Sequence, residues 1–177
     1  MNLRLLWNSP MNYLDKGDNF IVPKFDCPET IMTFLIRELN HQDFEQWRGL
    51  WQKYLSFYET TLADNIYTST FDKLVDKKIK SQNAFVAVKS KNLIGLVHFI
   101  FHKDNWKLED TTYLQDLYTF PEFRGMGVGR MLINAVYKAA DVNNSPSVYW
   151  QTAESNKPAR ILYDKIASLT PFIVYER

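Results

Sequence analysis

One cysteine, Cys27, is all that the 177 residues contain. An intramolecular disulfide and a cysteine-built metal cage are therefore excluded, and this usage fits a reducing, cytoplasmic setting. Charge of one sign is also lacking, because 21 Lys and Arg stand against 20 Asp and Glu for a formal +1. No overall field steers the chain toward nucleic acid or an anionic membrane, and neither is expected as a partner. The longest apolar run, residues 93–101, holds Gly95 and His98. It is far shorter than the roughly 20 residues of a membrane-spanning helix and reads as a buried strand. The first ten residues have no long apolar core and no small-residue cleavage site, so no secretory signal is read there. His41, His98 and His102 match no familiar metal-binding spacing, although the last two share a strand face, and no metal is expected.

The length suits one domain with one core. Residues 1–31, broken by Pro10, Pro23 and Pro28, read as an irregular N-terminal extension, and 32–177 as the domain proper. A strand is expected over 33–38. Phe44, Trp47, Leu50, Trp51, Tyr54, Leu55 and Tyr58 then recur at helical spacing, with Asn40 as the cap and Asp43 in the first turn. A shorter helix is expected over 71–80. Runs 84–89 and 93–102, joined by Ser90-Lys91-Asn92, predict an antiparallel hairpin, and 112–119 a further strand. Val128, Leu132, Ala135 and Ala139 mark the next helix. A strand over 147–152, a helix capped by Ser155 or Asn156 and running to Ile166, and a last strand over 172–175 complete a mixed α/β pattern.

The informative unit is strand, glycine turn, helix. In Arg124-Gly125-Met126-Gly127-Val128-Gly129-Arg130 the glycines let the backbone curl so that its amides aim at one anion, at the positive end of the following helix. Arg124 and Arg130 add charge-assisted donors, and the combination suits a pyrophosphate. A dinucleotide fingerprint needs a different glycine spacing, and a P-loop needs a Lys that is missing here.

This stretch fits Gln/Arg-x-x-Gly-x-Gly/Ala, and the chain resembles the GNAT acetyltransferase superfamily on that motif. The likeness extends upstream through residues 114–119 and downstream through 156–165. Residues 147–156 look closest to its polyamine and histone acetyltransferase-like branch. The resemblance implies an acyl-CoA acyltransferase fold: a central mixed, mostly antiparallel twisted sheet flanked by helices. It further implies acetyl-CoA as co-substrate, a small-molecule amine as acceptor, and a homodimer. Leu117, Tyr118 and Thr119 would offer backbone groups to the pantetheine arm, residues 124–130 would hold the pyrophosphate, and Asn156 would support the arm or the thioester. Tyr163 matches the family tyrosine that protonates the departing thiolate, a sensible donor because a phenol titrates near 10.

The attacking amine must lose a proton. Where polyamine-branch relatives often carry a glutamate this chain has Gln115, which cannot act as a base. Asp116 and Glu154 are the carboxylate candidates, with a water chain as the alternative; regular strand alternation sends Gln115 and Asp116 to opposite faces. Five acids between Glu38 and Asp64 face only Arg48 and Lys53 in that segment, which favours a cationic acceptor near the first helices. Tyr54, Phe57 and Tyr58 could add aromatic faces there. The expectation is N-acetyl transfer to a primary amine, of a polyamine- or amino-acid-like molecule or of a lysine or N-terminus, by direct attack in a ternary complex. The alternatives are a covalent route through Cys27 and a non-catalytic CoA-binding regulatory or scaffold module.

Overall fold

A computed structural model describes residues 34–177. The expected extension, Cys27 and the expected strand start at Thr33 lie outside the described residues. The elements run β1 (Leu35–Glu38), α1 (Phe44–Phe57), α2 (Asp64–Val75), β2 (Gln82–Lys89), β3 (Asn92–His102), β4 (Thr111–Thr119), α3 (Val128–Val142), β5 (Ser147–Tyr149) and α4 (Lys157–Tyr163).

The strands form one sheet in chain order, antiparallel from β1 to β4 and parallel between β4 and β5. The parallel pair follows from its connection, since α3 carries the chain back across the sheet. Alternation splits the core in two. Val86 and Leu96 face Trp47, Leu50 and Trp51 of α1 and Phe71 of α2, whereas Ala87 and Val97 face Leu132, Ile133 and Val136 of α3. Gly95 lies under α3, where a Cβ would come within 2.8 Å of the Tyr118 carbonyl oxygen.

Local chemistry explains most boundaries. The Asn40 side chain accepts from Gln42 N at 2.9 Å while its own N–H donates to Asp43 Oδ2 at 3.0 Å, a reciprocal cap on a short 3-10 turn, His41–Asp43, that precedes α1, so Asp43 stands at the N-cap of α1 and not in its first turn. The β2–β3 turn is tighter than expected, because Ser90 and Lys91 both take positive φ, 47° and 75°, and Asn92 already belongs to β3.

The second helix lies earlier than residues 71–80. Tyr67, Phe71 and Val75 form its buried face, and Asp76 ends it by accepting from Lys78 N at 2.9 Å, a local turn that competes with another helical turn. The strand expected over 147–152 stops at Tyr149, where its pairing with β4 stops. The helix after Asn156 ends at Tyr163 rather than Ile166, and the Asn156 side chain donates to Thr152 Oγ1 at 3.0 Å instead of capping it. Residues 172–175 form no strand. Phe172, Ile173, Val174 and Tyr175 are exposed, because a strand needs a partner edge and none within the described chain takes them.

Candidate active site

Pairing between β4 and β5 covers only Thr111 with Ser147, Thr112 with Val148 and Tyr113 with Tyr149. Beyond Tyr113 the two strands part, and the β4 edge opens into a cleft of about 970 Å³. Leu114, Gln115, Leu117, Tyr118 and Thr119 line one wall, while Trp150, Gln151, Ala153 and Asn156 line the other. A separate hollow of about 650 Å³ beside the β3–β4 loop shares no residue with this cleft.

The lining around the glycine turn has the chemistry that suits an anion. Gly125 and Gly127 adopt φ of 74° and 86°, a left-handed backbone that disfavours side chains, and Gly127 directly precedes α3. The free amides of the first turn of α3 open onto the cleft through Gly127, Val128, Gly129 and Arg130. Arg124 donates from Nε to the Thr119 carbonyl at 3.0 Å, and its guanidinium lies 5.5 Å over the Tyr118 ring, so it is held in place. Lys165 adds a third cation to the lining.

The lining also holds an aromatic group, Tyr54, Phe57 and Tyr58, from the close of α1. Tyr163 lines the cleft with its ring against Trp150, centroids 5.3 Å apart. Burial, with a smaller contribution from nearby Tyr58, pushes the Tyr163 phenol up to about 12, so it keeps its proton far above neutrality.

The expected cofactor-contacting residues gather at this cleft, with the exception of Met126, whose side chain is exposed and outside the lining. Neither candidate carboxylate lines it. Glu154 is exposed on the following loop, where its carbonyl accepts from Arg160. Asp116 is buried beneath the cleft, with Oδ2 accepting from Trp51 Nε1 at 3.1 Å and lying 2.8 Å from His98 Nδ1. Trp47 Nε1 donates to the other ring nitrogen of His98 at 2.8 Å. An indole can only donate, so Nε2 is the acceptor and the ring proton sits on Nδ1, directed at Asp116.

A β-bulge explains the position of Asp116. His98 pairs with Asp116 and Phe99 with Leu114, which leaves Gln115 as an extra residue on β4. Leu114 joins the α3-side core while Asp116, two residues on, turns toward α1. The strict alternation read from the sequence fails at this step, and Gln115 itself is exposed in the cleft. The acidic surface near the first helices is also largely neutralised, since Glu38 pairs with Lys77, Asp43 with Arg37 and Asp64 with Arg48. Trp150, Leu162 and Lys165 are lining residues that the sequence did not single out; their one signal was membership of the runs flanking the glycine turn.

A sheet edge left open beside a glycine turn, with a proton-bearing tyrosine in the same cleft, suits an extended, phosphate-bearing ligand. The chain belongs to the acetyltransferase (GNAT) family, whose profile matches residues 36–167. It is therefore an acetyltransferase enzyme, and this family uses acetyl-CoA. It is 34% identical over 144 residues, 81% of this chain and 89% of the relative, to the D-amino-acid N-acetyltransferase HPA3 of Saccharomyces cerevisiae. It is 28% identical over 99 residues, 55% of this chain and 61% of the relative, to the thialysine N-epsilon-acetyltransferase of Caenorhabditis elegans. Among solved structures, AAC(6')-Iy in complex with a bisubstrate analogue, CoA-S-monomethyl-acetylneamine, superposes with a TM-score of 0.73 at 19% identity, over 82% of this chain and 97% of that one. The ribosomal-protein-alanine N-acetyltransferase of Brucella melitensis biovar Abortus 2308 gives 0.66 at 19%, over 82% and 98%. Among the described residues no helix is long and apolar enough to cross a membrane, and no cluster of three or more His, Cys, Asp or Glu could hold a metal ion.

Proposed function

We propose that this enzyme acetylates the primary amine of a small, amino-acid- or polyamine-like molecule by direct attack on acetyl-CoA in a ternary complex. The observation that carries the reading is the open β4 edge beyond Tyr113, in a cleft lined both by the residues that open α3 and by aromatic side chains of α1. The residues present fit the co-substrate. An extended arm can pair with β4 from Leu114 to Thr119, a diphosphate suits the amides from Gly127 to Arg130, and the terminal nitrogens of Arg124 remain for a phosphate. When bound, acetyl-CoA supplies the thioester that the amine attacks. Tyr163 holds a proton available for the leaving sulfur, and Trp150 holds the Tyr163 ring. The relatives named for D-amino acids and thialysine act on small amines, which supports the acceptor class.

No carboxylate or imidazole lines the described cleft. Water at its mouth is accordingly our candidate for carrying the amine proton to solvent, with Gln115 able to hold it by hydrogen bonds; Asp116 and Glu154 stand outside the lining. The same observation favours a second reading, a module that binds acetyl-CoA without turnover. Thiol release from acetyl-CoA across D- and L-amino acids, polyamines, aminoglycosides and lysine peptides separates the two. Acetylated product on a small amine supports transfer, whereas coenzyme binding with no product on any amine overturns it. We also propose a homodimer, because exposed Phe172, Ile173, Val174 and Tyr175 offer an unpartnered apolar segment. Light scattering on the full chain and on one ending at Thr170 tests this, and a monomeric full chain refutes it.

A further inference from the structure

Two buried polar contacts hold β4, one on each side of Gln115. Ahead of it, the Thr112 hydroxyl donates to the Ser145 carbonyl at 2.9 Å and lies 2.8 Å from Ser145 Oγ. Both residues are fully buried, and Ser145 N donates in turn to the Ala140 carbonyl of α3. Past it, Asp116 Oδ2 accepts from the Trp51 indole at 3.1 Å and lies 2.8 Å from His98 Nδ1, while Trp47 holds the far side of that ring. The first contact ties β4 to the α3 side of the sheet, the second to the α1 side.

An unbroken strand cannot make both contacts. Thr112 and Asp116 are an even number of residues apart, so regular alternation would put them on one face. In the phase of the first half of β4, Asp116 would stand opposite Val97 and face Leu132, Ile133 and Val136, where a polar group without a partner is costly to bury. In the phase of the second half, Thr112 would stand opposite His102 and turn away from Ser145. One extra residue between them satisfies both contacts, and Gln115 is that residue. The open edge inherits the result. Along a strand the backbone groups of one residue turn to one neighbour and those of the next to the other, so a slip of one residue would exchange the N–H and C=O groups that face the cleft for those that bond β3.

We propose that Asp116, held by Trp51 and His98, is a positioning residue for the coenzyme: against the Thr112–Ser145 contact it fixes the bulge at Gln115, and so decides which backbone groups of Leu117, Tyr118 and Thr119 meet the pantetheine arm. The inference rests on the reading of the cleft as the coenzyme site, and adds to it the side chains that set the phase of its wall. It accounts for a buried His98 and Asp116 that take no part in lining the cleft. The role asks Asp116 for an acceptor oxygen at one place in the fold, whatever its charge.

Calorimetric titration of the full-length protein with CoA, together with cross-strand proton contacts between β3 and β4 read by NMR, tests the proposal. Asp116→Asn keeps an acceptor oxygen, and is expected to keep Val97 beside Leu117 and CoA affinity within threefold of the wild type. Asp116→Leu removes that acceptor. It is expected to weaken CoA at least tenfold and to lose the Val97–Leu117 contact, while Ile100 stays beside Tyr113. If Asp116→Leu does not fold, Trp51→Phe, which removes one of the two donors and keeps most of the bulk, carries the test with an expected loss of threefold or more in CoA affinity. Native Val97–Leu117 pairing or CoA affinity within threefold in Asp116→Leu, an Asp116→Asn protein as impaired as Asp116→Leu, or unchanged affinity in Trp51→Phe overturns it. A wild type that binds no CoA sinks the coenzyme reading instead, and the strand pairing alone then decides whether Asp116 sets the phase of β4.

Discussion

The Trp47 indole of α1 reaches across 2.8 Å to His98 on β3, the contact that fastens the first helix to the centre of the sheet through a buried hydrogen bond. Trp47 is fully buried and His98 nearly so. Trp47→Phe keeps most of the apolar bulk but leaves Nε2 of His98 without its donor, which costs about 1–3 kcal/mol. Chemical denaturation should register that loss. An unchanged midpoint would show that the ring finds another partner.

Gly95 stands where β3 passes under α3, with Val128 and Leu132 side chains 3.3 Å from the position of an added Cβ. Backbone is in the way as well, since the Tyr118 carbonyl lies at 2.8 Å. Gly95→Ala therefore forces β4 outward and is expected to destabilise by roughly 1–3 kcal/mol. Because Tyr118 lines the cleft, the affinity for acetyl-CoA should fall alongside the melting temperature.

At Gly127 the penalty has a different origin. Space around it is open, but its φ of 86° is strained for any side chain. Gly127→Ala should cost about 1–2 kcal/mol and tilt the amides that open the helix. Steady-state kinetics are expected to show the KM of acetyl-CoA rising several-fold, with the KM of the acceptor nearly constant.

Tyr163→Phe removes the hydroxyl we propose as proton donor and keeps the ring against Trp150. A fall in kcat of roughly 100-fold or more, with CoA affinity within twofold, is the expected split. Its pH signature follows from the upward shift. Below pH 10 the phenol is protonated in both folded and unfolded chains and adds no pH dependence; between its ordinary value of 10.0 and about 12 only the unfolded chain ionises, so stability declines as pH rises. Denaturation measured across that window should show a shallower decline in Tyr163→Phe. Cys27→Ser should leave turnover within twofold, because direct transfer needs no thiol; a large loss would restore the covalent route.

The glycine turn was legible from residues 124–130 because backbone curvature is a local property, written in the residues that lack a Cβ. The aromatic stripe of α1 and the alternating pattern of β2 and β3 were legible for the same reason, since period alone identifies a buried face. Harder to read were the ends of elements that depend on a partner. Residues 150–152 and 172–175 have the composition of strands, yet pairing is a contact between distant residues, and the contact is missing. The irregular step at Gln115 was hidden by the same gap, because a bulge is visible only when two strands are laid side by side.

By itself the sequence determined the mixed α/β class and the glycine turn that opens α3, both carried by short-range pattern. Only the tertiary structure decided where β4 and β5 part, which cations meet at the cleft, and that Asp116 is buried against Trp51 and His98 instead of lining the site. The physical reason is range. Backbone preference and hydrophobic period act over a few residues, whereas a cleft and its field arise from groups that folding alone brings together.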